Sequence, residues 1–322
     1  MEIITINLLG ISHRDQTGAF VYVKNLLDQM FQLDTKTHFL LIVRWRDQKY
    51  FGRRYGQRPN IRIYVSDPRF DLIHRPILAL KKIWAKLRKN KKRMEELIAQ
   101  ELNSLIRRRK IKKMFSPVQI IYPRGLVGVR HYVTILDLQH EYLPENFSAK
   151  EIAKRRENLA NITTVAQHLF AISEYTKKTL IEKCVISEKL ITVTPLAPDN
   201  LEIESEPIEI ARPFLFYPAA LWPHKNHRLV IETLKRLSPS HSDLQVIFSG
   251  VIKKEKLKIE LETLASEYGF GERVHFLGFI PDENLAWLYQ NATILVFPSS
   301  FEGFGMPILE AYHYHLPVVA AR

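Results

Sequence analysis

Thr293-Ile-Leu-Val-Phe-Pro-Ser-Ser-Phe-Glu-Gly-Phe-Gly-Met-Pro-Ile-Leu-Glu310 joins an apolar strand, a glycine-containing loop and a helix start in one stretch. We expect the strand over Thr293–Phe297 and the helix from near Pro307, because the first helical turn does not use the N–H that proline lacks. The first N–H groups of a helix have no partner within it, and with the helix dipole they attract phosphate. Gly303 and Gly305 allow the backbone to come close to a ligand. This order of residues predicts an anion site.

Two carboxylates, Glu302 and Glu310, lie eight positions apart across this junction. Their oxygens can accept hydrogen bonds from sugar hydroxyls, which favours a site for an anion and a polyol together. Two simpler interpretations remain open from the spacing alone. Glu302 could complement the helix dipole, and Glu310 could be a solvated helix residue.

Short apolar segments alternate with helical patterns from end to end, which indicates parallel sheets covered by helices on both faces. Residues 195–209 contain prolines and acidic side chains and interrupt this alternation, so we place a linker there. The sequence therefore predicts an α/β protein of two doubly wound, Rossmann-like domains, residues 1–200 and 201–322, facing each other across a cleft. The expected strands are Ile3–Leu9, Phe39–Val43, Ile61–Val65, Tyr132–Leu136, Leu169–Ile172, Ile191–Val193, Phe214–Tyr217, Gln245–Phe248, Val274–Leu277, Thr293–Phe297 and Val318–Ala320. The expected helices include Asn226–Leu237, Glu255–Tyr268 and Glu283–Asn291.

The composition fits this organisation. A chain of 322 residues that is 46% apolar has material for two cores. No apolar run reaches the roughly 18 residues that a membrane-spanning helix needs. The N-terminus has a strand pattern without a basic region, so we expect no signal peptide. Cys184 is the only cysteine, which excludes an intrachain disulfide and fits a reducing compartment.

Most of the net charge of +13 lies in one region, since residues 69–113 hold 16 Lys and Arg against 4 Asp and Glu. Apolar residues recur there at roughly helical spacing, so we expect a basic helical insertion over about 70–113. Its helices could dock on an anionic membrane surface, where Trp84 would suit the interface. They could instead cover a sheet and present a solvated basic face. A nucleic-acid partner is disfavoured, because no nucleic-acid-binding motif accompanies the charge.

The chain resembles the retaining glycosyltransferases of family 4 over nearly its whole length, most strongly from about Phe214 to Val319 and least over residues 44–113. The resemblance rests on the glutamate–x7–glutamate spacing of Glu302 and Glu310. It extends upstream through Gly278-Phe-Ile-Pro-Asp-Glu-Asn-Leu-Ala-Trp-Leu-Tyr289 and downstream into Ala311-Tyr-His-Tyr-His-Leu-Pro-Val-Val-Ala320. It implies the GT-B fold, with the acceptor bound by the N-terminal domain and a nucleotide-sugar donor by the C-terminal domain.

The resemblance also implies a role for each matching residue. Lys225, in a loop before a helix, would bind the donor diphosphate, with Asn226 capping that helix. Glu302 would lie near the transferred sugar, and Glu310 would hydrogen-bond the ribose hydroxyls. The other implied contacts come largely from backbone: Gly303, Phe304 and Gly305 to the sugar and diphosphate, Gly278, Phe279 and Ile280 to the base, and Gly18 to donor and acceptor.

Two positions depart from the family pattern. Ala220 stands where many relatives carry an arginine five residues before the lysine, and His224 is a candidate substitute donor. Leu136 stands where relatives usually have a histidine, and leucine neither donates nor accepts a hydrogen bond. Asp137 and His140 are the remaining candidates for contacts near the anomeric centre.

The leading prediction is a retaining glycosyltransferase that moves a hexose, with mannose favoured, from a nucleotide diphosphate sugar to a lipid-linked or polysaccharide acceptor. We expect it in the cytoplasm at the inner membrane face, without a cofactor or metal, since no Asp-x-Asp is present. The alternative is a non-catalytic or impaired relative that binds only nucleotide sugar or a partner. A glycosidase or epimerase is disfavoured, because both glutamates lie at one helix start. The family continues beyond Val318–Ala320, so we expect an incomplete second domain with exposed apolar surface and marginal stability.

Overall fold

The computed structural model describes residues 3–15, 18–66, 91–198, 202–252 and 254–321. Contacts divide the chain into two compact units. The first unit contains Met1–Leu136 and Ala149–Pro195, and the second contains Asp137–Ser148 and Leu196–Arg322. Asp137–Ser148 therefore groups with the second unit, although it lies well before the boundary near residue 200 that the sequence suggests.

The first unit is built on a seven-stranded parallel sheet with the order β3-β2-β1-β4-β5-β6-β7. The order reverses between β1 and β4, which is the place where ligands bind in open α/β sheets. The strands are β1 (Ile3–Asn7), β2 (His38–Arg44), β3 (Ile61–Ser66), β4 (Lys113–Ser116), β5 (Arg130–Ile135), β6 (Ala166–Ala171) and β7 (Ile191–Val193). The described helices from 18 to 184 are α1 (Gly18–Leu33), α2 (Gln48–Tyr55), α3 (Lys91–Arg109), α4 (Gln139–Tyr142, in the second unit), α5 (Ala149–Val165) and α6 (Glu174–Cys184).

Helix α1 covers one face of this sheet. Its buried residues Phe20, Val23, Leu27 and Phe31 recur every three or four positions, so they form a single apolar stripe. The stripe packs with β1 and β2 residues such as Leu41 in one core cluster. Burial of this stripe fixes the direction in which the chain leaves the loop after β1.

Helix α3, which belongs to the basic region, covers the opposite face of the sheet. Its residues Ile98, Leu102, Leu105 and Ile106 are buried in a cluster with β2 and β4. The arginines of its last turn, Arg107–Arg109, are exposed. The apolar face of this helix therefore covers the sheet. This agrees with the interpretation in which the basic helices cover a sheet and present a solvated basic face. The rest of the predicted insertion, residues 67–90 including Trp84, lies outside the described residues.

The second unit contains a five-stranded parallel sheet with the order β10-β9-β8-β11-β12. Its core combines the buried strand residues Phe214, Phe216, Ile247 and Leu295 with one face of each flanking helix. The strands are β8 (Phe214–Pro218), β9 (Gln245–Ser249), β10 (Val274–Phe276), β11 (Ile294–Phe297) and β12 (Val318–Ala320). The helices are α7 (His227–Leu237), α8 (Glu255–Glu267), α9 (Asp282–Asn291) and α10 (Met306–His313).

All eleven expected strands are present with ends that agree within three residues, but one further strand was not predicted. That strand is β4, which is only four residues long and begins at the end of a basic run. Val319 is 57% exposed on β12, an outer strand of the sheet, which agrees with the exposed apolar surface expected there. No described helix combines the length and apolarity that a membrane crossing requires.

Candidate functional site

The candidate site lies in the second unit, at the carboxyl ends of the neighbouring strands β8 and β11. The loop after β8 leads to a short 3-10 turn, Pro223–Lys225, and the loop after β11 carries Ser299 and Ser300. Ser300 joins the two loops, since its N–H and its hydroxyl both donate to the carbonyl of His224, over 2.9 and 3.1 Å. Because β8 and β11 pair in parallel, both loops leave the same edge of the sheet.

Lys225 and Glu302 form an ion pair between these loops, through Lys225 Nζ and Glu302 Oε1. The two side chains are 18% and 25% exposed, so the pair is partly desolvated but open to a ligand. Lys225 Nζ also lies 5.7 Å from the centre of the Phe297 ring. The alternative in which Glu302 merely complements the helix dipole is therefore insufficient, since a specific cation holds its carboxylate.

Tyr217 contacts both loops of the site through its hydroxyl, and no role for it was predicted from the sequence. Its buried hydroxyl donates to the carbonyl of Lys225 over 2.8 Å and lies 3.2 Å from Ser299 Oγ. Burial raises the pKa of Tyr217 well above its ordinary value, so the hydroxyl keeps its proton. The available signal was a tyrosine within an otherwise apolar strand, because a buried phenol needs a hydrogen-bond partner.

Helix α10 begins where the sequence predicted. Gly305 is its N-cap with φ of 102°, a left-handed conformation that glycine adopts without strain, and Pro307 lies in the first turn. The N–H of Ile308 donates to the Gly305 carbonyl over 3.0 Å. Gly303 and Phe304 lie between this helix start and Glu302, so the loop brings backbone and carboxylate to one place.

Glu310 lies further along α10 and has a different environment. Its Oε2 accepts a hydrogen bond from the hydroxyl of the buried Tyr289, which stacks on Tyr314 with ring centres 5.5 Å apart. Burial raises the pKa of Glu310, and the bond from Tyr289 opposes that change. The interpretation of Glu310 as a solvated helix residue is wrong, since the side chain is partly buried and hydrogen-bonded.

The predicted base-binding segment follows β10 on the other side of the sheet centre. Gly278 has φ of 69°, and its carbonyl accepts a hydrogen bond from Gly250 N over 2.7 Å. Gly250 itself has φ of 132°, and a Cβ there would lie 2.6 Å from the carbonyl carbon of Ala219. The close backbone approach at this edge therefore requires glycine. Phe279 is exposed, whereas Ile280 packs partly against the core.

Two histidines flank Lys225 in the chain. Burial lowers the pKa of His224 to about 4, the charges of Lys225 and Lys254 act in the same direction, and Asp137 opposes them. At neutral pH His224 is therefore uncharged and offers one N–H, so it does not replace the charge of the arginine expected at position 220. Burial likewise lowers the pKa of His227 to about 4.

Asn226 occupies the N-cap of α7 as expected, but it does not cap the helix with its side chain. It has φ of 56°, and no side-chain capping bond is formed. In this left-handed conformation its main chain closes the preceding turn, through the bond from Asn226 N to the Pro223 carbonyl at 3.0 Å. The residue therefore shapes the Lys225 turn through its backbone.

Asp137 and His140 lie in the segment that groups with the second unit. Asp137 accepts a hydrogen bond from Gln139 N over 3.0 Å, at the start of α4. His140 is buried, with Nε2 lying 3.5 Å from Glu141 Oε1. At the end of α4, Tyr142 contacts Phe301, the neighbour of Glu302, with ring centres 5.6 Å apart. The segment thus lies beside the Glu302 loop.

Gly18 and Leu136 belong to the first unit. Gly18 is the first residue of α1, and a Cβ there would meet no atom within 4 Å. Leu136 packs against the core of that unit, while its N–H donates to Gln119 Oε1 over 2.9 Å and its carbonyl accepts from Thr176 Oγ1 over 3.3 Å. Leucine here serves packing and backbone hydrogen bonding.

Across the described ranges, no three His, Cys, Asp or Glu side chains are grouped as metal ligands would be.

The family model described as "Glycosyl transferases group 1" matches residues 199–322, which include every candidate residue from Lys225 to Glu310. The match therefore covers most of the second unit.

Curated proteins similar to this chain include two bacterial mannosyltransferases. The chain is 25% identical over 206 residues to O-antigen chain mannosyltransferase B of Escherichia coli, covering 60% of this chain and 53% of that protein. It is 28% identical over 191 residues to O-antigen chain mannosyltransferase RfbU of Salmonella typhimurium, covering 59% and 51%. The chain therefore spans about half the length of these relatives.

Solved structures confirm the fold. HepE of Anabaena, in complex with UDP and glucose, superposes with a TM-score of 0.68 at 16% identity, covering 100% of this chain and 81% of that one. Sucrose-phosphate synthase of Thermosynechococcus elongatus gives a TM-score of 0.65 at 18% identity, covering 99% and 81%. The two parallel-sheet, Rossmann-like units are those of the GT-B fold, as the sequence predicted.

Proposed function

We propose that this protein transfers a hexose from a nucleotide diphosphate sugar to a lipid-linked or glycan acceptor, with retention of configuration. The observation that carries the proposal is the Lys225–Glu302 ion pair beside the N-terminus of α10, within the part that matches the family. A cation, a helix start and a carboxylate at one sheet edge suit a diphosphate that bears a sugar. The first unit would bind the acceptor.

Lys225 would stabilise the leaving diphosphate. As the bond between the anomeric carbon and the phosphate oxygen breaks, the electron pair stays on that oxygen and negative charge increases there. A fixed ammonium and the N–H groups at the start of α10 would both act on this charge. Since Lys225 supplies the cation, we propose transfer without a bound metal. The leaving phosphate would take the proton of the acceptor hydroxyl.

The remaining second-unit residues would hold the nucleoside and the sugar. Glu310 offers a carboxylate for the ribose hydroxyls, and Gly278–Ile280 offer backbone groups and the exposed Phe279 ring for the base. Gly303–Gly305 would contact the sugar and diphosphate. Asp137, His140 and His224 would serve the reaction centre, supported by the packing of Tyr142 on Phe301 next to Glu302.

The relatives support mannose as the sugar and a surface glycan as the product, since two of them are named O-antigen chain mannosyltransferases. The exposed arginines Arg107–Arg109 support docking on an anionic membrane surface at its cytoplasmic face. Docking would rest on charge in the described part of the basic region, because the apolar residues of α3 are buried. No nucleic-acid partner is proposed.

A second candidate is a protein that binds nucleotide sugar without transferring it. Leu136 and Ala220 favour it, because neither side chain can form the polar contact expected at its position. The two candidates share the donor site and differ only in turnover.

The test is calorimetric titration with GDP, UDP, dTDP and ADP, each beside its nucleoside. We expect one diphosphate to bind, and Lys225→Ala to weaken it about 10- to 100-fold, the range for a hydrogen bond to a charged group. Affinity for the nucleoside should not change. Lys256→Ala removes the same charge from an exposed position on α8 and is the matched control. Absence of nucleotide binding to folded protein would refute both candidates.

A transfer assay then distinguishes an active transferase from a protein that only binds nucleotide sugar. The matching nucleotide sugar is incubated with mannose-containing saccharides, with and without EDTA, and the anomeric configuration of the product is read by NMR. Transfer with retention that EDTA leaves unchanged supports the enzyme proposed here. Binding without turnover, in the presence of a broad acceptor panel, supports the second candidate.

A further inference from the structure

A histidine in the first unit is fixed by a buried carboxylate at the carboxyl edge of the sheet. His13 follows β1 and Asp47 follows β2, and the two strands are neighbours. His13 Nδ1 lies 2.6 Å from Asp47 Oδ1, with the aspartate 1% exposed and the histidine 26% exposed. A buried acid thus holds a ring that remains accessible.

Asp47 is placed to cap a helix but does not. It is the N-cap of α2, yet its side chain forms no capping bond. Its Oδ1 instead accepts from Ser12 Oγ over 2.7 Å, from His13 N over 3.3 Å and from the His13 ring. An N-cap aspartate contributes about 1 kcal/mol by accepting from helix N–H groups. Here that interaction is replaced by three bonds to the loop after β1.

These bonds define the chemistry that His13 presents. Asp47 Oδ1 accepts, so Nδ1 carries the hydrogen and the neutral ring has its lone pair on Nε2. No described residue forms a hydrogen bond with Nε2. Tyr50 stacks on the ring with centres 5.0 Å apart and planes 10° apart, which fixes its orientation. The ring is therefore held on two sides and offers one acceptor atom.

The location also suits a ligand. Gly10, three residues before His13, lies so close to Ile120 that a Cβ there would be 3.1 Å from the Ile120 Cβ. The loop after β1 therefore lies against the segment after β4, at the point where the strand order reverses. Ligands of doubly wound sheets bind in the crevice at that point.

We propose that His13 Nε2 binds a hydroxyl group of the acceptor saccharide by accepting its hydrogen bond, and that Asp47 is the positioning residue for this contact. The inference rests on the proposed glycosyl transfer, because it assigns the second substrate. The donor residues belong to the second unit, so the acceptor needs a site on the first. A fixed imidazole acceptor over an aromatic ring matches the hydroxyls and flat faces of a sugar.

The first test does not depend on turnover. Protein labelled with ¹⁵N in histidine is titrated with methyl α-D-mannopyranoside, α-linked mannobiose and mannotriose, and the His13 ring nitrogens are followed by NMR. We expect the Nε2 resonance to shift on saturation, and the Nδ1 resonance to move less. If no saccharide shifts the His13 resonances, the proposal is overturned. Nucleotide binding, measured on the same sample, reports on the donor site separately.

Kinetic variants provide the second test. The amide N–H of Asn can donate to Asp47 in place of Nδ1–H. His13→Asn therefore keeps the hydrogen bond to Asp47 and removes Nε2. We expect it to raise the KM for the acceptor about 3- to 10-fold, the range for a neutral hydrogen bond, without changing nucleotide affinity. Asp47→Asn should raise the same KM, because the ring loses its fixed tautomer.

His168→Asn is the control. It removes an imidazole on β6 whose Nε2 is hydrogen-bonded to Thr192 Oγ1 over 2.8 Å. It should change neither the KM for the acceptor nor the affinity for nucleotide. An acceptor KM for His13→Asn within twofold of the parent value would also overturn the proposal. A fall in nucleotide affinity in that variant would do the same, because the residue would then act on the donor site.

Discussion

Lys225 and Glu302, 77 residues apart in the chain, form an ion pair that joins the loops after β8 and β11. A diphosphate bound at this sheet edge would compete with Glu302 for the same ammonium group. The carboxylate is thus an intramolecular partner for a cation whose proposed ligand is a phosphate. We propose two roles for Glu302: it keeps Lys225 in position, and it would act on the sugar once the diphosphate binds the cation.

Substitution of Glu302 by Gln should separate donor binding from transfer. The amide keeps the shape but removes the charge that competes for Lys225, so we expect nucleotide affinity to be unchanged or slightly higher. Transfer should fall about 10²- to 10³-fold, the cost of losing one electrostatic contact at a reaction centre. Calorimetry and initial rates check the two expectations. A loss of nucleotide affinity in Glu302→Gln would show that the residue is needed to bind the donor instead.

Glu310 should destabilise the folded protein at neutral pH. Burial raises its pKa in the folded state, so the folded protein holds this proton more tightly than the unfolded chain does. Stability is therefore lost as the pH rises from the ordinary pKa of a glutamate through the raised one. Gln keeps an oxygen for the Tyr289 hydroxyl and cannot ionise. We expect Glu310→Gln to be more stable than the parent at pH 7, with the difference vanishing near pH 4.

Urea unfolding at both pH values measures this difference. Glu232→Gln removes a carboxylate from the surface of α7, where it pairs with Arg228, and should give a small change with little pH dependence. A Glu310→Gln difference that is the same at pH 4 and pH 7 would contradict the prediction, because ionisation would then have no part in it.

His227 should make the second unit sensitive to acid. It is 2% exposed, its Nε2 lies 3.2 Å from the Ala219 carbonyl, and burial lowers its pKa from 6.5 to about 4. The unfolded chain takes up the proton first, so stability falls as the pH drops from 6.5 towards 4. Full loss of this contribution corresponds to about 3 kcal/mol.

His227→Phe tests the assignment, because the ring packs between Tyr217 and Phe248 and a phenyl ring fits that contact. The variant is expected to lose some stability at pH 7, since the Ala219 carbonyl loses a partner, and to show a flatter pH dependence. Urea midpoints at intervals of half a pH unit between 7 and 4.5 give the slope. Equal slopes for parent and variant would assign the acid sensitivity to other groups.

The sequence predicts most of this fold because strands such as β8 and β9 are short apolar runs with clear ends. It fails where the signal is weak or non-local. β4 has four residues after the run Arg107–Lys113, so its polar start conceals it. Asp137–Ser148 groups with the second unit through contacts such as Tyr142 on Phe301, which sequence spacing does not encode.

In the candidate site, too, local features were predicted from the sequence and non-local contacts were not. The start of α10 and the loop with Glu302 were predicted from motif order, because strand, loop and helix follow one another directly in the chain. The proposed role of Lys225 came from the family resemblance. The support from Tyr217 and Ser300 depends on two loops meeting across β8 and β11, and their residues are about 80 positions apart. The backbone conformation of Asn226 was also beyond reach, since an asparagine before a helix usually caps with its side chain.

Gly18 offers a test of function that stability does not confound. The resemblance implies that the Gly18 backbone contacts donor and acceptor, and the simpler alternative is a glycine that only the turn before α1 requires. A Cβ at Gly18 would meet nothing within 4 Å, and its φ is not in the left-handed region, so the fold itself does not require glycine there. Gly18→Ala should therefore fold normally, with a free energy of unfolding unchanged or higher by up to about 1 kcal/mol.

If the backbone at Gly18 approaches substrate, the new methyl group should obstruct it, and we expect kcat/KM to fall at least about 10-fold, which corresponds to about 1.4 kcal/mol. Gly52→Ala is the matched control, because Gly52 lies within α2 and a Cβ there also meets nothing within 4 Å. That variant should keep full activity. Normal activity in Gly18→Ala would remove the residue from the site, and loss of folding would restore the structural interpretation.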